Sequence, residues 1–73
     1  MAVVNRVELG REIMRAFSAV SRQVEVLERD AAGQDVSPYK LQDMNGAYQM
    51  VPLIAAKAQL LHALTLLNHK EAN

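Results

Sequence analysis

Residues 44–67 read MNGAYQMVPLIAAKAQLLHALTLL, and their apolar side chains decide what fold the chain can adopt. Wound as a helix at about 100° per residue, the stretch places Met44, Tyr48, Val51, Ala55 and Ala58 on one side. Leu53, Leu60, Leu64 and Leu67 fall roughly opposite, with Ile54 and Leu61 between the two groups. A surface helix shows one apolar stripe, whereas a helix apolar on several sides is covered on several sides. Pro52 has no N–H to give and biases Val51 away from helical angles, and Gly46 weakens the preceding turn. The second helix is therefore expected to be kinked or broken near Gly46–Pro52. Its two faces then address either two different neighbours or one ordinary small core.

Upstream, Leu9, Ile13, Phe17, Val20, Val24, Leu27 and Ala31 recur at alternating spacings of three and four. That is a narrow coiled-coil seam suited to one partner helix. Asn5 is placed to cap this first helix, with Glu8 three residues on to complete a capping box. Gly33 supplies a left-handed stop. The first helix is expected over about 5–32. After the short polar connector Gly33-Gln34-Asp35-Val36, Ser37-Pro38 reads as an N-cap followed by proline at the first helical position. The second helix is expected over about 38–68, with a fraying tail from His69 to Asn73. So short a connector forces the helices antiparallel. The expected fold is all-α: a two-helix antiparallel hairpin, residues 1–73, forming a single domain.

In that hairpin the internal seam is expected to pair Leu9, Ile13, Phe17, Val20, Val24 and Leu27 with Leu41, Met44, Tyr48, Val51, Ala55 and Ala58. Leu53, Leu60, Leu64 and Leu67 would then stand in water, with Ile54 and Leu61 at their margin. Burying four leucines is worth about 6–12 kcal/mol, comparable to the whole stability of a small domain. These six residues, Leu53, Ile54, Leu60, Leu61, Leu64 and Leu67, are the expected partner-binding surface. The occupant would be another helical protein or a second copy of this chain.

Composition supports an assembled protein. A chain of 73 residues without cysteine has no disulfide or thiolate metal site to reinforce a small core. Eight basic and eight acidic residues cancel, so no bulk field favours nucleic acid or an anionic membrane. The N-terminal MAVVNRVELGRE shows no signal-peptide pattern, and the apolar run at 53–67 reads as too short and interrupted to span a bilayer. A cytoplasmic location is expected.

No chemistry emerges from the polar residues. Arg11, Arg15, Arg22 and Arg29 align opposite the first seam, where they could track phosphates in a dimeric RNA-binding hairpin. Glu8, Glu12 and Glu25 sit at helix-pair spacing from them, which instead makes a neutralised, solvated face. His62 and His69 share a helix face but lie about 10 Å apart along the axis, too far for one metal ion. Lys57, among apolar residues, reads as a snorkelling side chain. Ser18, Ser21 and Ser37 lack a surrounding His and acid. No enzyme activity, metal or cofactor is expected.

The layout resembles the small helical hairpins of bacterial type III secretion systems over roughly residues 10–67. The features that carry the resemblance are the charged first helix, the Ser37-Pro38-Tyr39 turn, Leu41, Tyr48-Gln49 and the Ala/Leu-rich last helix. The resemblance is to the co-chaperone that holds a needle subunit soluble, and secondly to the needle subunit itself. It implies a non-enzymatic chaperone or adaptor whose partner is a helical protein. The alternatives are a self-assembling structural subunit and the RNA-binding hairpin.

Overall fold

A computed structural model describes the backbone of residues 5–72 and the side chains of residues 5–68. Helix α1 spans Arg6–Gln34 and helix α2 spans Met50–Ala72, with a 3-10 turn at Pro38–Lys40 between them. The helices pack against each other as an antiparallel hairpin, the expected all-α architecture. The molecule is a slab of 48 × 25 × 14 Å, one helix thick.

Both ends of α1 are set locally. Asn5 Oδ1 accepts from the backbone N–H of Val7 at 3.0 Å and of Glu8 at 3.2 Å, satisfying two of the donors that a helix start leaves open. At the other end, Gly33 is an ordinary helical residue and the left-handed residue is Asp35, at φ 56° and ψ 44°. The N–H of Val36 reaches Ala31 O at 3.0 Å and that of Asp35 reaches Ala32 O at 3.2 Å. Those two bonds form a Schellman closure. The helix continues one residue past Gly33, to Gln34, with Ala31 fully buried, and aspartate tolerates the left-handed region better than most residues. The expected stop at Gly33 is corrected on that ground.

The connector is longer and more structured than expected. Ser37 Oγ caps the 3-10 turn through the N–H of Tyr39, with Pro38 opening it. The chain then forms a small loop closed by an antiparallel bridge between Gln42 and Tyr48. Within it Asp43 Oδ1 accepts from the N–H groups of Asn45 and Ala47, and Gly46 takes φ 82°, which glycine adopts without strain. The expected break near Gly46–Pro52 is present, but residues 41–49 upstream of it are loop, not helix. Pro52 falls in the first turn of α2, where the missing N–H has no intrahelical partner to lose. At its far end α2 continues through Ala72, past the point where fraying was expected.

Starting α2 at Met50 resets the phase of its seam. Met50 packs with Val24 and Leu27 in the buried core, and Leu41 and Leu53 pack against that cluster. Farther along, Lys57 Nζ lies 5.6 Å from the centre of the Phe17 ring. At the open end Arg6 Nη2 donates to Leu67 O at 2.7 Å, and a Cβ built on Gly10 would lie 3.3 Å from Leu67 Cδ2. Met50, Leu53, Lys57, Leu60, Leu64 and Leu67 thus form a three-four row facing α1.

The expected seam residues Met44, Tyr48 and Val51 are instead exposed, Met44 completely, as are Ala55 and Ala58. Met44 and Tyr48 lie in the loop, so helical phase never applied to them. Leu9 is likewise exposed, and Gly10 takes the seam position because its bare backbone admits Leu67.

Candidate functional site

The exposed back of α2 is the candidate site. One residue on from each seam position, and so rotated by about 100°, runs a second three-four row: Val51, Ile54, Ala58, Leu61, Thr65 and Asn68. Ala55, His62 and Leu66 extend it around the helix. Val51 is 58% exposed, Ile54 38%, Leu61 54% and Leu66 56%. Between Met50 and Asn68 the only Asp, Glu, Lys or Arg is Lys57, and it belongs to the other row. The Thr65 hydroxyl donates to Leu61 O at 3.0 Å, which takes its polarity off the surface. Such a helix, apolar nearly all round, matches one covered on more than one side.

The six residues expected at a partner surface divide between the rows. Ile54 and Leu61 lie on the exposed back. Leu53, Leu60, Leu64 and Leu67 are half-buried on the seam side, so the expectation that they stand in water is corrected. The cause is again the phase of α2, which hands the bulky leucines to α1 and leaves Val51, Ala58 and Leu66 outside. Sequence reasoning missed these three as surface residues. The signal was the regular row from Met50, which the charge at Lys57 disguised.

The apolar back continues onto one edge of α1. Arg6, Val7, Gly10 and Met14 line a shallow groove of about 440 Å³ together with Leu64, Leu67 and Asn68. That shared groove places the Val7/Met14 side of α1 on the same broad side of the slab as Asn68, the last described member of the exposed row of α2.

The rest of the surface of α1 differs in kind. Arg11, Arg15, Arg22 and Arg29 are exposed, and Arg15 pairs with Glu12 at 3.0 Å, both side chains well exposed. Exposed pairs of this sort contribute little. His62 is exposed, and His69 lies outside the described side chains. Among the described residues no three His, Cys, Asp or Glu side chains are grouped to hold a metal ion.

By length and composition alone, Met50–Asn68 is apolar enough to cross a membrane, with a mean hydropathy of 1.5 over 19 residues. The sequence expectation counted only the run 53–67; the window that adds Met50–Pro52 and Asn68 meets the length.

No protein-family model matches the chain, and comparison with curated proteins and with solved structures gives no match.

Proposed function

We propose that this chain is a non-enzymatic protein-binding module, of the chaperone or adaptor kind, that lays the back of α2 against an apolar helix of another polypeptide. The observation that supports this is the uncharged, exposed row Val51, Ile54, Ala58, Leu61 and Thr65 on a helix whose adjoining side already has a neighbour. The mode is helix-in-groove packing, with anchors at three-four spacing and α1 supplying the rigid support. An aggregation-prone helix held this way stays soluble until it is handed on. The resemblance to type III secretion hairpins offers one occupant, the helix of a secretion subunit.

The same reading keeps α2 outside the bilayer, in a cytoplasmic setting. A lysine near the middle of a span costs about 2.5–3.5 kcal/mol. In the hairpin Lys57 instead lies over the Phe17 ring, an arrangement worth about 0.5–1 kcal/mol.

The test is co-expression with the product of a neighbouring gene, comparing the native chain with Leu61→Lys. Leu61 is half exposed and stands outside the buried cluster, so the variant should keep its helical content and lose the complex. Complexes that form equally well with either chain would overturn the reading, as would a chain that sediments with membranes and resists extraction by alkaline carbonate.

A further inference from the structure

The back of α2 and the edge of α1 beside it also indicate what covers them. We propose that a second copy of this chain does so, related by a two-fold axis perpendicular to the helices that passes close to Ser18 of α1 and Ala58 of α2. The inference rests on the docking reading above and names the occupant of that face while no heterologous helix is bound.

Two separate patterns fix the same axis. On α1, the row one residue on from the seam, which reaches round to Arg11 at the edge of the arginine face, carries Val7, Arg11, Met14 and Ser18 in its first half and Ser21, Glu25 and Glu28 in its second. All but Ser21 are exposed. If α1 of one protomer crosses α1 of its partner antiparallel, Arg11 meets Glu25 and Glu28 of the partner copy, and the same pairs recur by symmetry. The midpoint of that pairing falls between residues 18 and 20. On α2 the uncharged row is self-complementary about its own midpoint. Ile54 meets Leu61 of the partner copy, Val51 meets Thr65, and the small Ala58 sits at the crossing. That midpoint falls at residues 57–58.

The two midpoints need not agree, yet the hairpin places them at one level. Gly10 lies beside Leu67, Phe17 beside Lys57, and Val24 and Leu27 beside Met50. Residues 18–20 of α1 are therefore level with residues 57–58 of α2. A single axis satisfies the charges on one helix and the apolar row on the other.

The product is an antiparallel four-helix bundle. Each helix there faces two neighbours about 90° apart, which suits the two rows of α2, offset by one residue. An isologous two-fold contact of this type is the commonest closed assembly. The broad side of the slab, 48 × 25 Å, exceeds the roughly 800 Å² per partner of a standard stable interface.

The chain has no cysteine, so introduced thiols report the axis directly. Ala58→Cys and Ser18→Cys should each form a disulfide-linked dimer under mild oxidation, and Ala16→Cys, on the opposite broad side of α1, should not. In sedimentation equilibrium the native chain should be a dimer. Arg11→Glu should weaken it by about tenfold or more, as should Glu25→Arg with Glu28→Arg. All three changes together should restore affinity to within about threefold, with helical content by circular dichroism unchanged throughout. A folded monomer at all concentrations up to the millimolar range would overturn the second copy as occupant. A dimer indifferent to the charge reversals, or cross-linked through Ala16→Cys and not through Ala58→Cys, would overturn the axis. Neither failure touches the docking reading, which is decided by whether Leu61→Lys loses its heteromeric complex.

Discussion

The two helices of this hairpin turn opposite kinds of surface to solvent. The back of α1 is a field of arginine and glutamate, in which Arg15 pairs with Glu12 at helix-pair spacing. Between Met50 and Asn68 the back of α2 holds Val51, Ile54, Leu61 and Leu66 and no Asp, Glu, Lys or Arg. α1 also sets its own ends, by Asn5 at the start and the Asp35–Val36 closure at the finish. On the reading proposed above, α1 is an outer wall and α2 an inner layer, and the hairpin supplies α2 with one of the two neighbours such a layer has.

The contrast breaks most visibly at the shared core. Leu27, Val24 and Met50 are the buried cluster that joins the helices. Truncating a buried leucine removes its transfer energy and leaves a cavity, at a typical cost of about 2–5 kcal/mol. Leu27→Ala should therefore lower the urea midpoint by a large fraction of the total stability. Because α2 depends on tertiary contacts, its amides should lose hydrogen-exchange protection before those in the middle of α1. Loss of protection in α1 first would show that the assignment of wall and layer is reversed.

How much of this was legible in the sequence follows the same division. The seam of α1 from Ile13 to Ala31 and its cap at Asn5 were readable, because the apolar spacing is regular and the capping chemistry is local. The hairpin followed from them. The phase of α2 was not readable from its composition, because a helix apolar all round gives no preferred side. What set the phase was where the helix begins. That point is fixed by the bond from Gln49 N to Leu41 O, at 3.1 Å, and by the loop closed between Gln42 and Tyr48. Those contacts are non-local and no periodicity announces them. Of the six residues expected at a partner surface, Ile54 and Leu61 are consequently exposed, whereas Leu53, Leu60, Leu64 and Leu67 face α1.

Smaller effects sharpen the picture of α1 as locally specified. Asn5→Ala removes the acceptor for two open N–H groups and should cost about 1 kcal/mol in chemical denaturation. The loss should appear as fraying of the first turn of α1, with the core unchanged. Gly33→Ala should move stability the other way. Gly33 is helical and exposed, with nothing within 4 Å of a Cβ placed there. Exchanging glycine for alanine in a helix interior is worth about 0.5–1 kcal/mol. A loss at this site would restore Gly33 as the left-handed stop and displace Asp35 from that role.

The smallest change tests the outer wall itself. Arg15 and Glu12 are 69% and 64% exposed, so their 3.0 Å contact lies in water and is screened by salt. Exposed pairs on a helix contribute about 0.3–0.5 kcal/mol, so Arg15→Ala should shift stability by no more than that, and the shift should shrink further in high salt. The informative comparison is with Leu61→Lys on the other helix. Both substitutions alter a solvent-facing side chain, and neither should damage the folded hairpin. Only the change on α2 should abolish association. If Arg15→Ala weakened association as strongly as Leu61→Lys, the interface would extend around the back of α1. The docking surface would then reach beyond Arg11, Glu25 and Glu28 to the side of α1 that carries Arg15.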